Sequence, residues 1–369
     1  MSFPRKNVTP CPDTGRESSF VRASKHGWWR AYMRLLLIWT AALVVAGCGG
    51  AGESGDEPTK KKIVWYALMV HPYVEEVQKG VIGYERDTGI KIKRQIGQNW
   101  TQDNENANVE PLAAQGYKGF SLYPADASAA NGLYEELVQN GAYVVSYGAP
   151  TTLPTPASFC VATDVKQAAM EATEALIGFM GGKGNILNVL ELVEDPNTIL
   201  RKEGVEAAVA KYPEVQIVQE IAGMESIETS TAKIQDALSA RIEEIDGVIC
   251  TGYTPTVAAA IILSEWNQTL DNKRIHFVGI DTDPVVLDAI RRGAIDATIS
   301  QNPYGHGYIT CALLSYLLDG WQANPDRYFI NSGTVLVTKD NVDTFEDEVR
   351  AITARIMGEL ETKYLSPPL

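Results

Sequence analysis

Two short apolar runs of the sequence end in polar side chains that could bind a small molecule. Asp281 follows Phe277–Ile280 and Gln301 follows Ala297–Ser300. Both runs are rich in β-branched residues, which is typical of buried parallel strands. Because open α/β sheets bind ligands at the carboxyl ends of their strands, Asp281 and Gln301 are predicted to face one cleft. A carboxylate and an amide there are suited to bind the hydroxyl groups of a small polar molecule.

The other candidate residues lie after a predicted strand or in the helical turn that follows it. They are His71, Tyr73, Trp100, Tyr147, Asp195, Asn197, Arg201 and Tyr253. Carboxylates, amides and an arginine bind sugar hydroxyls through directional and bidentate hydrogen bonds. Aromatic faces cover the C–H surfaces of a sugar. The whole set therefore predicts a site for a sugar or another small polar solute.

Each candidate also has a purely structural interpretation, which the sequence leaves open. Asp281 could N-cap the following helix, His71 could cap or pack locally, and Arg201 could be a surface charge. Gln301 could be a hinge residue, which is compatible with a ligand role. The aromatic candidates could be loop, lobe-interface or rim-packing residues: Trp100, Tyr147 and Tyr253.

Motifs of known catalytic sites are missing from the sequence. It has no Walker A loop and no Gly-x-Ser-x-Gly elbow, and Gly181-Gly182-Lys183-Gly184 precedes a predicted strand instead of following one. The four histidines show no metal-ligand spacing. We therefore predict binding without chemical transformation, no cofactor and no metal. An enzyme of unfamiliar type stays an alternative, which turnover of a bound solute would reveal.

The first 60 residues differ in composition from the rest of the chain. Residues 1–34 are basic, Leu35–Val45 is a short apolar run, and Val45-Ala46-Gly47-Cys48 resembles a bacterial lipobox. We expect a signal peptide of the lipoprotein type over 1–47, lipidation at Cys48, and a flexible tether over 48–61. The predicted location is the periplasm or the cell surface, with the lipid as the membrane anchor. An uncleaved anchor and a cytosolic protein are the alternatives.

Charge and cysteine content restrict the partners and the redox state. The formal net charge is −14, which disfavours nucleic acid as a partner. Cys160, Cys250 and Cys311 each lie in an apolar run, which indicates buried thiols, although one disulfide stays possible.

Strand-like and helix-like patterns alternate from residue 62 onward. This alternation predicts an α/β fold with parallel sheets covered by helices on both faces. A proline-rich connection at 148–157 separates a first unit from a second, in which the same alternation restarts. The repetition predicts two similar lobes.

Seven short segments of the chain together resemble the sequence pattern of a known protein family. In chain order they are His71-Pro72-Tyr73, Gln115-Gly116-Tyr117-Lys118-Gly119, Tyr123-Pro124-Ala125-Asp126, Gln139-Asn140-Gly141-Ala142-Tyr143-Val144-Val145, Arg201-Lys202-Glu203-Gly204, Val278-Gly279-Ile280-Asp281 and Ala297-Thr298-Ile299-Ser300-Gln301. By their order and spacing, the chain from about 62 to 340 resembles the type I periplasmic substrate-binding proteins of the ribose/galactose class. The resemblance implies two Rossmann-like, doubly wound parallel-sheet lobes joined by a three-segment hinge. The hinge segments would lie near 162–164, 301–302 and 330–331. The N-terminal lobe would then comprise 62–162 plus 302–330, and the C-terminal lobe 163–301 plus 331–369.

The same resemblance implies roles for individual residues. Arg201, Asp281 and Gln301 match the hydroxyl-binding arginine, strand-end aspartate and amide of the family, and Tyr73 matches its first-strand aromatic. His71 stands where Asn or Asp is usual. Asp195 and Asn197 match a His and an Asp of the galactose-type branch.

The chain departs from the family pattern at two strand ends. Gly148-Ala149 stands where a charged pair is usual, and Gly252 stands where an asparagine is usual. Tyr147, Trp100 and Tyr253 are the predicted replacements. A polyol, a modified sugar or a similar solute therefore fits as well as ribose or galactose.

Together, these features predict a monomeric solute receptor that delivers its ligand to an ABC permease and contacts the membrane only through the lipid anchor. The alternative is a ligand sensor that presents its closed form to a chemoreceptor or a histidine kinase. A repressor core is disfavoured by the leader and by the acidic charge.

Overall fold

The computed structural model describes residues 61–193, 195–269 and 273–368. The predicted signal peptide, Cys48 and residues 48–60 of the predicted tether lie outside the described residues. No helix in the described ranges is long and apolar enough to cross a membrane.

The first part of the chain alternates strands and helices from its first described strand. The elements are β1 (Ile63–Ala67), α1 (Pro72–Thr88), β2 (Ile92–Ile96), α2 (Gln102–Ala114), β3 (Gly119–Leu122), α3 (Ala130–Gln139), β4 (Tyr143–Tyr147) and β5 (Phe159–Ala162). All four residues of β3 and of β5 are buried, which accounts for their apolar composition.

The alternation continues through the second part of the chain. The elements are α4 (Val165–Phe179), β6 (Gly184–Val189), α5 (Pro196–Val209), β7 (Val215–Ile221), α6 (Ile227–Arg241), β8 (Gly247–Cys250), α7 (Tyr253–Thr269), β9 (His276–Ile280), α8 (Pro284–Arg291) and β10 (Ala297–Ser300).

The last part returns to the first lobe and then crosses over again. The elements are α9 (Pro303–Leu318), β11 (Gln322–Ala323), a 3-10 helix (Pro325–Arg327), β12 (Phe329–Asn331), β13 (Val335–Thr338), α10 (Phe345–Glu359), a π-helical turn (Leu360–Tyr364) and β14 (Leu365–Ser366).

Two six-stranded sheets form the centres of two lobes. The first lobe has the strand order β12-β5-β4-β3-β1-β2, and the second has β13-β10-β9-β8-β6-β7. The chain passes between the sheets after β5, after β10 and after β12, so three segments connect the lobes. The predicted fold class, with two doubly wound lobes, is confirmed.

Two details differ from the expected pattern. β13 pairs antiparallel with β10 at the edge of the second sheet, whereas the other pairs in both sheets are parallel. An edge position accommodates this reversal because only one side of β13 needs a partner strand.

The C-terminal segment also differs from its predicted assignment to the second lobe. Phe345 and Val349 at the start of α10 lie in the core of the second lobe. Ile356, Leu360 and Leu365, further along, lie in the core of the first lobe. The apolar residues of α10 therefore bury against both lobes in turn.

Four α-helices of the described residues begin with a capping residue followed by proline, directly after a strand or a short loop. The pairs are His71-Pro72, Asp195-Pro196, Asp283-Pro284 and Asn302-Pro303. The capping side chain accepts a backbone N–H that the helix leaves unpaired, and proline lacks the N–H that would otherwise also need a partner. These junctions fix where each helix leaves its sheet.

The three cysteines in the described residues are buried and free. The prediction of buried thiols is confirmed, and the possible disulfide is absent among these three. Burial raises the pKa of the Cys160 thiol to about 12, so it stays protonated at neutral pH.

Candidate functional site

The carboxyl ends of the two sheets face each other across a cleft. His71, which follows β1 in the first lobe, packs edge-on against Tyr253 of the second lobe, with ring centroids 5.3 Å apart. Tyr253 is the first residue of α7, immediately after the β8 strand end. Strand-end residues of the two lobes are therefore in contact at this point.

Asp281 is held in a strained backbone conformation at the end of β9. Its φ is 79°, and it is the one non-glycine residue with positive φ among the described residues. Its N–H donates to the carbonyl oxygen of Ile299 at 2.8 Å, and the Thr298 hydroxyl donates to its carbonyl oxygen at 2.8 Å. A left-handed conformation costs free energy for such a residue, and strain of this kind is characteristic of functional sites.

The Asp281 carboxylate is paired with Gln301, the other strand-end candidate. Gln301 donates from Nε2 to Asp281 Oδ1 at 2.7 Å. Asp283, not Asp281, caps α8 by accepting the Val285 N–H at 2.8 Å. The interpretation of Asp281 as a helix cap is therefore wrong, and its side chain is directed to Gln301 instead.

Arg201 lies inside the cleft region and not on the surface. Its side chain belongs to α5, one turn after Asn197, and the residue is only 8% exposed. Its Nε has no hydrogen-bond partner among the described residues. An unpaired buried donor costs free energy unless a partner supplies the missing hydrogen bond. The interpretation of Arg201 as a surface charge is therefore wrong.

Charges from both lobes act on Asp281. Burial raises the pKa of its carboxyl, while the Gln301 hydrogen bond, Arg201 and His71 lower it. Burial in turn lowers the pKa of His71, and Asp281 and Glu75 oppose that shift. Since His71 comes from the first lobe and Asp281 from the second, these shifts place the two groups in one electrostatic environment.

His71 and Tyr73 lie at the start of α1. The Tyr73 N–H donates to His71 Nδ1 at 3.2 Å, so His71 does cap the helix. The Tyr73 hydroxyl is hydrogen-bonded to His306 Nδ1 at 2.5 Å. Burial raises the pKa of Tyr73, and smaller effects come from Asp281 and Arg201 across the cleft.

Asp195 and Asn197 lie at the start of α5. Asp195 Oδ1 accepts the Asn197 N–H at 2.9 Å, so Asp195 is the N-cap of this helix. Both residues are half-buried. Asn197 and Arg201 are four residues apart and therefore share one face of α5.

The remaining aromatic candidates occupy three different environments. Trp100 is 53% exposed and donates from Nε1 to the Ala125 carbonyl oxygen at 3.0 Å, so it is a loop residue at the rim of the first lobe. The Tyr253 hydroxyl donates to Asp283 Oδ2 at 2.6 Å. Tyr147 is fully buried in the first core, and its hydroxyl donates to the Tyr66 carbonyl oxygen at 2.9 Å. The Tyr147 hydroxyl is thus directed into the core and not into the cleft.

Two cleft residues escaped the sequence interpretation, namely Tyr123 and Glu191. Tyr123 follows β3 and packs edge-on against Trp100, with ring centroids 5.0 Å apart. Burial raises the pKa of Tyr123, and Asp195 and Glu191 raise it further while Arg201 lowers it. Tyr123 of the first lobe is therefore close enough to Asp195, Glu191 and Arg201 of the second lobe for their charges to act on its pKa.

Glu191 lies just beyond the end of β6. Burial raises the pKa of its carboxyl, and Arg201 lowers it. Its Oε1 accepts the Thr254 N–H at 3.4 Å. The signal for both missed residues was available in the sequence, because each comes directly after an apolar run, as Asp281 and Gln301 do.

The strand-end glycines leave space for these two side chains. A Cβ on Gly148 would lie 2.4 Å from Cε2 of Tyr123, and one on Gly252 would lie 2.4 Å from Oε2 of Glu191. Real Cβ atoms do not approach other atoms so closely, so a side chain at either position would displace its neighbour. The departures from the family pattern thus coincide with the places that Tyr123 and Glu191 fill.

The sequence profile of the periplasmic binding protein domain matches residues 64–322, which is more than half of the chain. The chain belongs to the periplasmic binding protein family. Its members in the comparisons are binding proteins, which agrees with the prediction that the ligand is bound and not transformed.

Relatives of this periplasmic binding protein include sugar- and polyol-binding proteins. The xylitol-binding protein of Mycolicibacterium smegmatis is 23% identical over 300 residues, covering 81% of this chain and 83% of the relative.

Solved structures share the same fold. A solute-binding protein of Burkholderia graminis in complex with D-arabinose has a TM-score of 0.68 at 20% identity, covering 77% of this chain and 98% of the other. The arabinose-binding protein AraP of Geobacillus stearothermophilus has a TM-score of 0.68 at 21% identity, covering 78% and 99%. At these identities the similarity establishes the fold of this periplasmic binding protein and not its ligand.

Proposed function

We propose that the protein captures a sugar or a sugar-like polyol between its two lobes and delivers it to an ABC importer. The observation that carries this proposal is the buried set on the second lobe. There, Arg201 has an unpaired Nε, and Asp281 is held by Gln301 at a strained strand end. Tyr73 and Tyr123 of the first lobe face this set.

This arrangement suits hydroxyl groups better than other ligand chemistry. Carboxylate oxygens accept hydrogen bonds from hydroxyls, and a guanidinium donates to hydroxyl oxygens, so one sugar edge pairs with both. Aromatic rings on the opposite wall cover the C–H faces. The xylitol- and arabinose-binding relatives bind ligands of this chemical class, according to their names.

Ligand binding would favour the closed arrangement of the lobes. A solute that bonds to Arg201 and Asp281 on one side and contacts Tyr123 on the other has more partners when the lobes are together. Such a ligand shifts the hinge equilibrium by its difference in affinity for the two states. The permease would then recognise the closed form.

Calorimetry with a panel of neutral sugars and polyols tests the proposal. We expect at least one of xylitol, D-arabinose and D-ribose to bind the protein, and Arg201→Ala to abolish most of that binding. Arg292→Ala is the matched control, because Arg292 pairs with Asp288 on the exposed surface of α8. Absence of binding for every neutral sugar and polyol tested would contradict the proposed ligand class.

We also propose lipid anchoring at Cys48 and a monomeric receptor. The lipobox-like segment Val45–Cys48 after a short apolar run supports the anchoring. In cells, Cys48→Ala should move the protein from the membrane to the soluble fraction and abolish labelling by a fatty-acid probe. Light scattering on the purified protein should give the mass of one chain.

A further inference from the structure

Glu191 and Gly252 lie side by side at the ends of neighbouring strands. β6 pairs with β8 in parallel, with Val189 opposite Cys250, so the residues two positions further on are also adjacent. A Cβ on Gly252 would lie 2.4 Å from Glu191 Oε2 and 2.8 Å from Glu191 Cβ. The Glu191 carboxylate can occupy this place only because residue 252 has no side chain.

Glu191 adds a second carboxylate to the surroundings of Arg201. Burial raises the pKa of both Glu191 and Asp281, Arg201 opposes that rise in both, and Asp281 adds to it for Glu191. One guanidinium therefore faces two carboxylates, which leaves this wall with an excess negative charge when both are ionised. Asp195 and Glu75, which act on Tyr123 and on His71, add negative charge at the edges of the same cleft.

Three first-lobe side chains near these groups, His71, Tyr73 and Tyr123, supply no positive charge, and Lys79 of the same lobe is paired with Glu76. Burial lowers the pKa of His71, so its ring is neutral at pH 7, and Tyr73 and Tyr123 are protonated because burial raises their pKa values. Among these groups of the described residues, a ligand therefore meets one buried cation, Arg201, and a surplus of carboxylate oxygens.

We propose that Glu191, whose carboxylate occupies the space left by Gly252, is a specificity-determining residue that selects neutral polyhydroxy compounds and rejects those carrying a carboxylate or a phosphate. The proposal rests on the proposed function, since it concerns the same cleft. A hydroxyl donates to the Glu191 carboxylate without adding charge. An acidic ligand adds an anion where the single guanidinium is already shared, and repulsion of this kind produces specificity.

Calorimetry at pH 7 with xylitol, D-arabinose and D-arabinonate tests this inference. D-Arabinonate is the open-chain aldonate of arabinose: it has the five-carbon, hydroxyl-rich chain length of xylitol and carries a carboxylate at C1. The wild-type protein should bind D-arabinonate at least about 100-fold more weakly than the better of the two neutral probes, because like charges in a desolvated site repel strongly.

The variants are Glu191→Gln, Gly252→Ala and, as the matched control, Glu203→Gln. Glu191→Gln should weaken the binding of the neutral probe about tenfold, because a charge-assisted hydrogen bond becomes a neutral one. The same variant should bind D-arabinonate more tightly. The ratio of the affinity for the neutral probe to that for D-arabinonate should therefore fall by a factor of about ten or more. Gly252→Ala should act in the same direction, since its methyl group displaces the Glu191 carboxylate. Glu203 lies on the exposed side of α5, where it pairs with Lys166, and its variant should bind like the wild type.

Two outcomes would overturn the inference alone. One is a wild-type protein that binds D-arabinonate as tightly as the neutral probe. The other is a Glu191→Gln variant, folded by circular dichroism, whose preference between the probes is unchanged. Absence of binding for every neutral sugar and polyol of the panel, D-ribose included, would instead overturn the proposed function, and this inference with it.

Discussion

Asp281 shows how one residue can combine backbone strain, burial and charge. It adopts a left-handed φ of 79°, and burial raises the pKa of its carboxyl. Neither property stabilises the fold, and each would be relieved by glycine or asparagine. Hydrogen bonds from Gln301 and Thr298 hold the residue in place despite these costs. These properties make Asp281 a candidate for ligand binding through its carboxylate.

Removing either Asp281 or Arg201 should leave a buried partner unpaired. Asp281→Ala or Arg201→Ala is expected to cost on the order of 2–5 kcal/mol of ligand binding. Titration calorimetry with the best ligand of the sugar and polyol panel measures this loss. Asp288→Asn, at the exposed ion pair on α8, is the control and should bind normally. If neither Asp281→Ala nor Arg201→Ala changed the ligand affinity, the ligand would have to bind at another site.

His306 should make the protein sensitive to acid. Burial lowers its pKa to about 3, whereas an unfolded histidine titrates near about 6.5. Between these values the unfolded chain binds one more proton, so the free energy of unfolding falls as the pH falls.

The loss attributable to His306 is about 1.4 kcal/mol per pH unit between about pH 6 and pH 4. His306→Gln should be less stable at pH 7, because hydrogen bonds to Tyr73 and Ser332 change. Its stability should nevertheless fall less steeply with acid. Urea unfolding of both proteins at several pH values measures this, and parallel slopes would contradict the prediction.

A buried carboxyl on α2 is hydrogen-bonded to the loop after β3. Glu105 is fully buried, and its Oε2 accepts the Ala125 N–H at 2.8 Å. Trp100 donates to the carbonyl oxygen of the same Ala125, so both sides of this residue are held. The loop follows Tyr123, so this attachment also positions a cleft residue.

Glu105→Gln should stabilise the protein at alkaline pH. Burial raises the Glu105 pKa to about 7, so the folded protein binds the extra proton and loses stability as pH rises from about 4.5 to 7. The variant removes this loss, and its stability relative to wild type should rise by about 3 kcal/mol between pH 4.5 and pH 8. Urea unfolding measures the difference. Glu110→Gln, on the exposed side of α2, should show no such rise.

The elements were predictable where their signals are local. The apolar runs and the capping residues fix the positions of α1, α8 and α9 within about a turn, because capping, proline and apolar periodicity act over a few residues. β12 was expected only as a hinge segment, since its three residues form a strand through pairing with β5, far away in the chain. The path of α10 across both cores was also not predictable, because it depends on packing against residues far away in the chain.

The site was predictable to a similar degree and for the same reason. Asp281, Gln301 and Arg201 follow local strand and helix signals, and the structure brings them together. The direction of the Tyr147 hydroxyl depends on β1, two strands away in the sheet, and could not be read from its neighbours. The relation of Glu191 to Gly252 depends on the register of β6 against β8, which also has no local signal.

For the whole molecule, Asn302 joins the segments that connect the lobes. It is fully buried and donates from Nδ2 to the Ser332 carbonyl oxygen at 2.9 Å and to the Thr353 hydroxyl at 3.0 Å. Its Oδ1 accepts the Gly305 N–H at 2.7 Å and caps α9. Ser332 in turn bonds to His306, whose other nitrogen bonds to Tyr73 in the cleft. A chain of hydrogen bonds thus connects the cleft to the hinge.

Asn302→Ala should destabilise the whole protein by about 2–4 kcal/mol, because it removes a helix cap and leaves buried groups unpaired. Urea unfolding gives this value. Asn324→Ala is the control: Asn324 caps the short 3-10 helix and donates to the Lys363 carbonyl oxygen at 3.3 Å, both at the exposed surface, and its loss should cost less than about 1 kcal/mol. If Asn302→Ala lowered the free energy of unfolding by an equally small amount, the hydrogen bonds of Asn302 would not contribute to the stability of the hinge.

Both ends of the described chain belong to the first lobe. Lys61 bonds to Ser315 of α9 at 2.6 Å, and β14 near the C-terminus pairs with β11. Residues 163–301, which supply most of the second sheet, are thus an insertion between parts of the first. If a pulling device grips residue 61 and residue 366, the tension runs through the first lobe. The second lobe should then stay intact until the first one ruptures.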